Sequence, residues 1–333
     1  MIQPVSSINS GNSWEACDPA AMPVMPPHIV FVCGAPRSGT TLLQALLCSS
    51  TQTNPLIGEA IDLAYLVGAY ANSRHIQQLG DTTDYFEDAE HLRGFYRQPI
   101  AQLLHRIWQR YDRPSCLVLK SPALTLHLPD LLDLLPQAQS LVSVRDPRDG
   151  AASLRAISQR VQASSLFTGA GAGSGVGSGV GSGVRSGADL KPQGIEYQLA
   201  QQPIERLGRY FCDHYATVLG CRDAGIWERL RFVRYEALVD RPEAAIDQLQ
   251  AFTGLPLVCD RDQPWQRSAM NFQRLPDRYR AWWSGQGYGD QISDASIGRY
   301  RQQLSPLEIR AIERACADWM QRFGYAIAPE SPQ

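Results

Sequence analysis

Between Gly34 and Gly39 the chain reads GAPRSG and continues TTLL to Leu43. Two glycines bracketing four residues, followed by hydroxyl side chains, give the spacing of a loop that wraps a phosphate at the start of a helix. A helix N-terminus offers unpaired N–H groups and the positive end of a dipole, and both suit an anion. The loop departs from the nucleoside-triphosphate type at one position: Thr40 stands where a lysine would follow the second glycine, and the only cation in the turn is Arg37. A guanidinium fork matches a compact pair of phosphate or sulfuryl oxygens. Arg37, Ser38, Gly39, Thr40 and Thr41 therefore suggest a donor with a 5′-phosphate carrying one further small anionic group, a donor able to work without metal. Two more cations stand at comparable places: Lys120 ends CLVLK, and Arg145 follows SLVSV. Ligands of an open parallel sheet sit beyond the carboxyl ends of its strands. Arg37, Lys120 and Arg145 at three such ends predict one shared site.

The elements that would carry these residues alternate. His28–Cys33, Cys116–Lys120 and Ser140–Val144 are short apolar runs that read as strands, and LRFVRYE reads as a fourth. Thr40–Cys48, Asp62–Tyr70, Tyr85–Arg110, LTLHLPDLLDLL, PRDGAASLRAISQRV, Ile204–Leu219, Pro242–Gly254 and Leu304–Phe323 have helical spacing. In Tyr85–Arg110, Phe86, Leu92, Phe95, Leu103, Leu104 and Trp108 are expected to line one face. Gly254 and Gly324 stand as C-terminal stops, with Ser305 and Pro306 as a start. Continuously apolar strands alternating with helices predict an α/β fold with a central parallel sheet covered on both faces. One domain over 28–327 is expected, behind a flexible tail at 1–27. A flexible insertion at 169–187 contains three GSGV repeats.

The bulk properties confine the chemistry. Of 333 residues, 44% are apolar and 19% charged, with net charge −2, so no polyanion-wrapping surface is expected and any anion site is local. No apolar run approaches the ~20 residues of a membrane helix. The first residues lack the charged and apolar regions of a secretory signal. Eight scattered cysteines without a C-x-x-C pair read as buried reduced thiols, and six histidines show no metal-ligand spacing. A cytoplasmic protein acting without nucleic acid, membrane or metal is expected.

APRSGTTLL resembles the 5′-phosphosulfate loop of sulfotransferases that use 3′-phosphoadenosine 5′-phosphosulfate (PAPS). The second element of that family is a strand, an arginine, and a helix bearing serine eight residues later. Here it reads LVSVRDPRDGAASL, with Arg145 and Ser153 at that spacing. In the family these two bind the 3′-phosphate, and Ser153 about two helical turns beyond Arg145 agrees with that. FVRYEALVDRPEAAIDQLQAFTGL resembles the family's Y-E-x-L-x-x-x-P helix. SIGRYRQQLSPLEIRAIERACADWMQRFGY resembles its C-terminal G-R-[WY] element. The similarity spans roughly Ile29–Tyr325 and implies a P-loop-like sulfotransferase fold with PAPS as sulfuryl donor.

Within the family the loop and NPLIGEA resemble the tyrosylprotein-type branch, whose glutamate after the first helix is the base that takes the acceptor hydroxyl's proton. This implies Glu59 as base and Lys120 as the cation steadying the transition state. That branch shows G-E-E with the second Glu acting, whereas Ala60 follows Glu59 here. Asp62 is the substitute base, and a helix-terminal acid is the non-catalytic reading of Glu59. The resemblance also implies nucleotide contacts by Tyr235 and Arg299. It implies a serine upstream of the last basic residue, to be chosen among Ser268, Ser284, Ser293 and Ser296. His127 reads as an ordinary helix residue. The acceptor hydroxyl stays open among protein tyrosine, carbohydrate and small molecule. A P-loop kinase-like enzyme and an inactive 3′,5′-ADP-binding protein are the alternatives.

Overall fold

The computed structural model describes residues 23–80, 85–167, 202–258, 260–268 and 291–327. The expected tail (to residue 22), the GSGV insertion and Ser284 lie outside the described residues. Four strands form one sheet in the order β2-β1-β3-β4, all parallel, from β1 (His28–Gly34), β2 (Cys116–Lys120), β3 (Ala138–Val144) and β4 (Leu230–Arg234). Alternate residues of β1 feed two cores. Ile29, Phe31 and Cys33 pack on one face, while Val30 and Val32 pack on the other, and all five are fully buried. An apolar run with no polar alternation is what a strand covered on both sides requires.

On the first face lie α2 (Ile61–Gln78) and α3 (Ala89–Arg110), after α1 (Thr40–Leu47), which packs on the second. Asp88 caps α3 by accepting from the N–H groups of Glu90 and His91, so the helix begins later than its periodicity suggested. Leu92 and Leu104 are buried as expected and Ile100 and Ala101 join them, whereas Phe95, expected on the same face, is 59% exposed. Helix α2 outlasts its apolar stripe by two turns. Beyond Tyr70, Ser73 bonds Tyr96 and Arg74 pairs with Asp130.

LTLHLPDLLDLL, read as one helix, is a 3₁₀ turn (Pro122–His127) followed by α4 (Leu128–Leu134). Pro129 has no N–H to give the carbonyl of Thr125, and Thr217 Oγ1 donates to that oxygen instead (3.2 Å). Then come α5 (Pro147–Phe167), α6 (Ile204–Asp213), α7 (Ala216–Gly220) and α8 (Ala224–Glu228). LRFVRYE divides into β4 and a helix that starts at Tyr235, α9 (Tyr235–Asp240). After α10 (Pro242–Thr253), closed by left-handed Gly254, the chain ends in α11 (Tyr300–Gln303), α12 (Pro306–Ala315) and α13 (Ala317–Arg322). Ser305 and Glu308 form a reciprocal capping box on α12. The expected single helices over 204–219 and 304–323 are each interrupted, near His214 and at Cys316.

Of the described cysteines, Cys33, Cys48, Cys116 and Cys316 are buried and Cys212 and Cys221 half-buried, all with free thiols. Burial pushes Cys33 and Cys116 up to about 12, which leaves them protonated and inert as nucleophiles. Among the described residues no helix is long and apolar enough to cross a membrane.

Candidate active site

The site starts at the carboxyl end of β1. Gly34 has φ 132°, and a Cβ there would stand 2.4 Å from the carbonyl oxygen of Ser143, so the loop leaves the strand directly against β3. The turn is then fixed from beneath. Gly34 N–H donates to Thr125 Oγ1 (2.7 Å), and Ala35 N–H donates to the Tyr215 hydroxyl (3.0 Å). That hydroxyl in turn donates to Ser143 O (2.8 Å), and Ser143 Oγ donates to Ser38 O (2.6 Å). Burial pushes the Tyr215 phenol well above its ordinary range, so it stays neutral and keeps the proton this relay needs. Ser38, expected to touch ligand, is fully buried in this underside, whereas Gly39, Thr40 and Thr41 line a cavity of about 850 Å³. Helix α1 opens there with no side-chain cap and no acidic residue in its first turn, an N-terminus whose dipole suits an anion.

Arg37 is one of three non-glycine residues with positive φ among those described (72°). Backbone held in this region tends to persist where its surroundings over-determine it, typically at functional sites. The twist carries its guanidinium across to α5, where Nε donates to Ser153 Oγ (3.2 Å). Arg145 approaches from the end of β3. It donates to the carbonyls of Arg37 (3.1 Å) and Ser296 (2.5 Å) and lies 4.5 Å over the Tyr235 ring. Its Nε is buried without a partner among the described residues. Tyr235 OH and Ser296 Oγ are 2.6 Å apart, and Arg299 completes the wall. The expected group Arg37, Thr40, Thr41, Arg145, Ser153, Tyr235 and Arg299 is thus brought to one cavity, which also has room for a nucleotide. Ser296 is the serine bonded to Tyr235; Ser293 lines the same cavity, and Ser268 instead pairs with Leu56.

Two charged residues of this cavity escaped the sequence reading. Asp149 accepts from the N–H groups of Gly298 (2.7 Å) and Tyr300 (2.9 Å), so it holds the turn that presents Arg299. Burial raises its pKa, and the nearby charge of Arg145 works against that rise. Its place four residues before Ser153, on the same helical face, was a usable signal. Arg160 is the other.

Because β2 and β3 flank β1, the loop lies between two chemically different corners. Arg145 stands on the β3 side. On the β2 side Lys120 Nζ donates to Glu59 Oε1 at 2.6 Å, with Lys120 1% and Glu59 29% exposed. Ala60 N–H donates to Lys120 O (2.9 Å), tying the segment before α2 to the strand end. Asp62 lies exposed in the first turn of α2, where a helix dipole favours an acid, and the lysine pairs with Glu59 rather than with it. Neither Glu59 nor Lys120 lines the large cavity. His127 packs against Gly68, and burial lowers its pKa.

Comparison with known proteins follows this geometry. Residues 27–171 match the Sulfotransferase family, a stretch that includes the loop, Glu59, Lys120, Arg145 and Ser153 and stops before Tyr235 and Arg299. Among solved structures, the chain is similar to the "Sulfotransferase Domain from the Curacin Biosynthetic Pathway". The TM-score is 0.50 at 16% identity, over 92% of this chain and 100% of that one. It is also similar to the "Sulfotransferase Domain from the Synechococcus PCC 7002 Olefin Synthase" (TM-score 0.47, 18% identity, 91% and 97% covered). A third is a sulfotransferase from Alicyclobacillus acidocaldarius (0.43, 15%, 91% and 98%). No curated protein sequence matches the chain. The fold is the sulfotransferase fold.

Proposed function

We propose that this chain is a sulfotransferase that moves the sulfuryl group of PAPS to an acceptor hydroxyl. One observation carries the reading: two anion-binding corners share one cavity. The first is the uncapped start of α1 behind the Gly34–Gly39 loop, and the second is Arg145 with Ser153. The hydrogen bond from Arg37 to Ser153 spans them. A nucleotide with anionic groups on both its 5′ and 3′ positions suits such a pair of corners, and the buried, unpartnered Nε of Arg145 leaves donor capacity for it.

The residues then divide the work. Arg145, Ser153 and Arg299 hold the 3′-phosphate, and the Tyr235 ring, fixed by Ser296, supplies a flat surface against Arg145. Thr40, Thr41 and the first N–H groups of α1 face the 5′ side, and Arg37 supplies the charge there once it leaves Ser153. Glu59 takes the proton of the acceptor hydroxyl as its oxygen bonds to sulfur and the bond from sulfur to the phosphate oxygen breaks. Lys120, already bonded to Glu59, neutralises charge developing on the oxygen that leaves. The products are the sulfate ester and 3′,5′-ADP.

Thermal denaturation tests the donor. 3′,5′-ADP is expected to raise the melting temperature well above the shift given by 5′-AMP at equal concentration, since charge-assisted contacts to the extra phosphate are worth roughly 1.5–3 kcal/mol. Equal shifts from the two nucleotides remove the PAPS assignment. A larger shift from ATP with magnesium supports a kinase-like enzyme instead.

A further inference from the structure

The stripe of α5 that faces the cavity continues past Ser153. Asp149, Ser153, Ala156 and Arg160 stand at intervals of four, three and four residues, and all four line the cavity. That is one face of an α-helix over three turns. The other arginines of α5 are engaged elsewhere. Arg148 is bound by Asp146 and Glu313, and Arg155 by Glu308 and the carbonyl of Gln303. Arg160 differs: among the described residues no carboxylate lies within ion-pair distance of it, although its side chain is exposed. What shares the cavity with it is more positive charge, Arg37 from the loop and Arg299 from the turn before α11. Partial burial and then these two like charges lower its pKa. Guanidinium groups lining one cavity repel one another, and with Arg37 serving the 5′ side, Arg160 and Arg299 become favourable neighbours when an anion of charge near −2 sits between them.

We propose that Arg160 is a specificity-determining residue of this site, a further guanidinium that engages the 3′-phosphate of the bound nucleotide and so selects 3′-phosphorylated adenine nucleotides. The assignment rests on the PAPS reading above and adds to it a residue two turns beyond Ser153. In this arrangement Arg145 and Ser153 fix the inner side of the phosphate. Arg160 closes its outer side, opposite Arg299. An exposed arginine also draws the dianion toward the cavity before it docks.

The test compares titration calorimetry of 3′,5′-ADP and of 5′-AMP on the wild-type chain, Arg160→Gln and Arg160→Lys. Wild type is expected to prefer 3′,5′-ADP. Arg160→Gln should lose about tenfold in affinity for 3′,5′-ADP and keep its affinity for 5′-AMP within about twofold, because only the former carries the phosphate in question. Arg160→Lys should fall between, since it keeps the charge and loses the fork. The site is exposed, so both variants should melt with the wild type in the absence of nucleotide; if the glutamine variant does not, the lysine variant carries the comparison. The proposal is overturned if Arg160→Gln binds 3′,5′-ADP as wild type does, or if it loses the same factor for both nucleotides. A wild-type chain that fails to prefer 3′,5′-ADP is a different result: it removes the PAPS reading itself, and Arg160 loses its ligand with it.

Discussion

Glu59→Gln and Lys120→Met are each expected to cut turnover by on the order of 10²–10³ while leaving 3′,5′-ADP affinity within a few-fold of wild type. The two side chains form one hydrogen-bonded pair at the end of β2, and neither lines the large cavity. Chemistry and donor binding should therefore separate. Glutamine keeps the size of Glu59 and its ability to accept from Lys120, but it cannot take a proton from an acceptor. Methionine fills the buried volume of Lys120, which is 1% exposed, better than alanine would, so its melting temperature shows whether a loss of turnover is a loss of fold. Arg37→Ala should behave differently and weaken donor binding as well, since Arg37 lines the cavity. The assay needs an acceptor, which a screen of hydroxyl compounds and peptides with isotopically labelled PAPS supplies. Full turnover by Glu59→Gln, together with loss of turnover in Asp62→Asn, would move the base to the first turn of α2.

The second large effect falls on the frame. Gly34→Ala should lower the melting temperature by on the order of 5–10 °C and abolish nucleotide-induced stabilisation. Two causes add. The residue sits at φ 132°, where an L side chain is strained, and its Cβ would meet the carbonyl oxygen of Ser143 at 2.4 Å. That oxygen belongs to a central strand and already accepts from Tyr215, so it has little room to yield. Relief would push the loop off β3 and break the bonds that the Gly34 and Ala35 N–H groups donate to Thr125 and Tyr215 to set the turn. Gly254→Ala serves as the comparison. It also has positive φ (70°) but meets nothing within 4 Å, so it should cost only the backbone strain, about 1 kcal/mol, and leave nucleotide binding unchanged. Similar losses in the two variants would show that φ alone, and not the packing of the loop on β3, sets the cost.

Much of this was determined locally and could be read from the chain alone. The parallel sheet follows from short, largely apolar runs that alternate with helices. The anion loop follows from glycine spacing ahead of an amphipathic helix. Arg145 and Ser153 could be named because a strand end and two helical turns are short, regular distances. Lys120 could be named because a cation closing an apolar strand must emerge at the sheet's edge of carboxyl ends. The buried cysteines followed from the apolar runs that hold them. Helix interruptions were less legible, because the break at Pro129 is made tolerable by Thr217, a residue distant in sequence that takes up the carbonyl left without a donor.

What only the tertiary structure decided are the pairings across long sequence separations. Nothing in NPLIGEA or CLVLK says that Glu59, rather than Asp62, meets Lys120; the bond from Ala60 to the end of β2 does that. The bond between Ser296 and Tyr235 required the chain to return from the far C-terminal region over Tyr235 and Arg145, a path held by Asp149 through two backbone N–H groups. Arg37 reads in sequence as a loop charge aimed at the 5′ side, but its positive φ turns it onto Ser153. Sequence spacing fixes where a side chain leaves the backbone within one element. Where it ends depends on which other element packs opposite, and that is settled by the sheet order that sets Lys120 and Arg145 on either side of one loop.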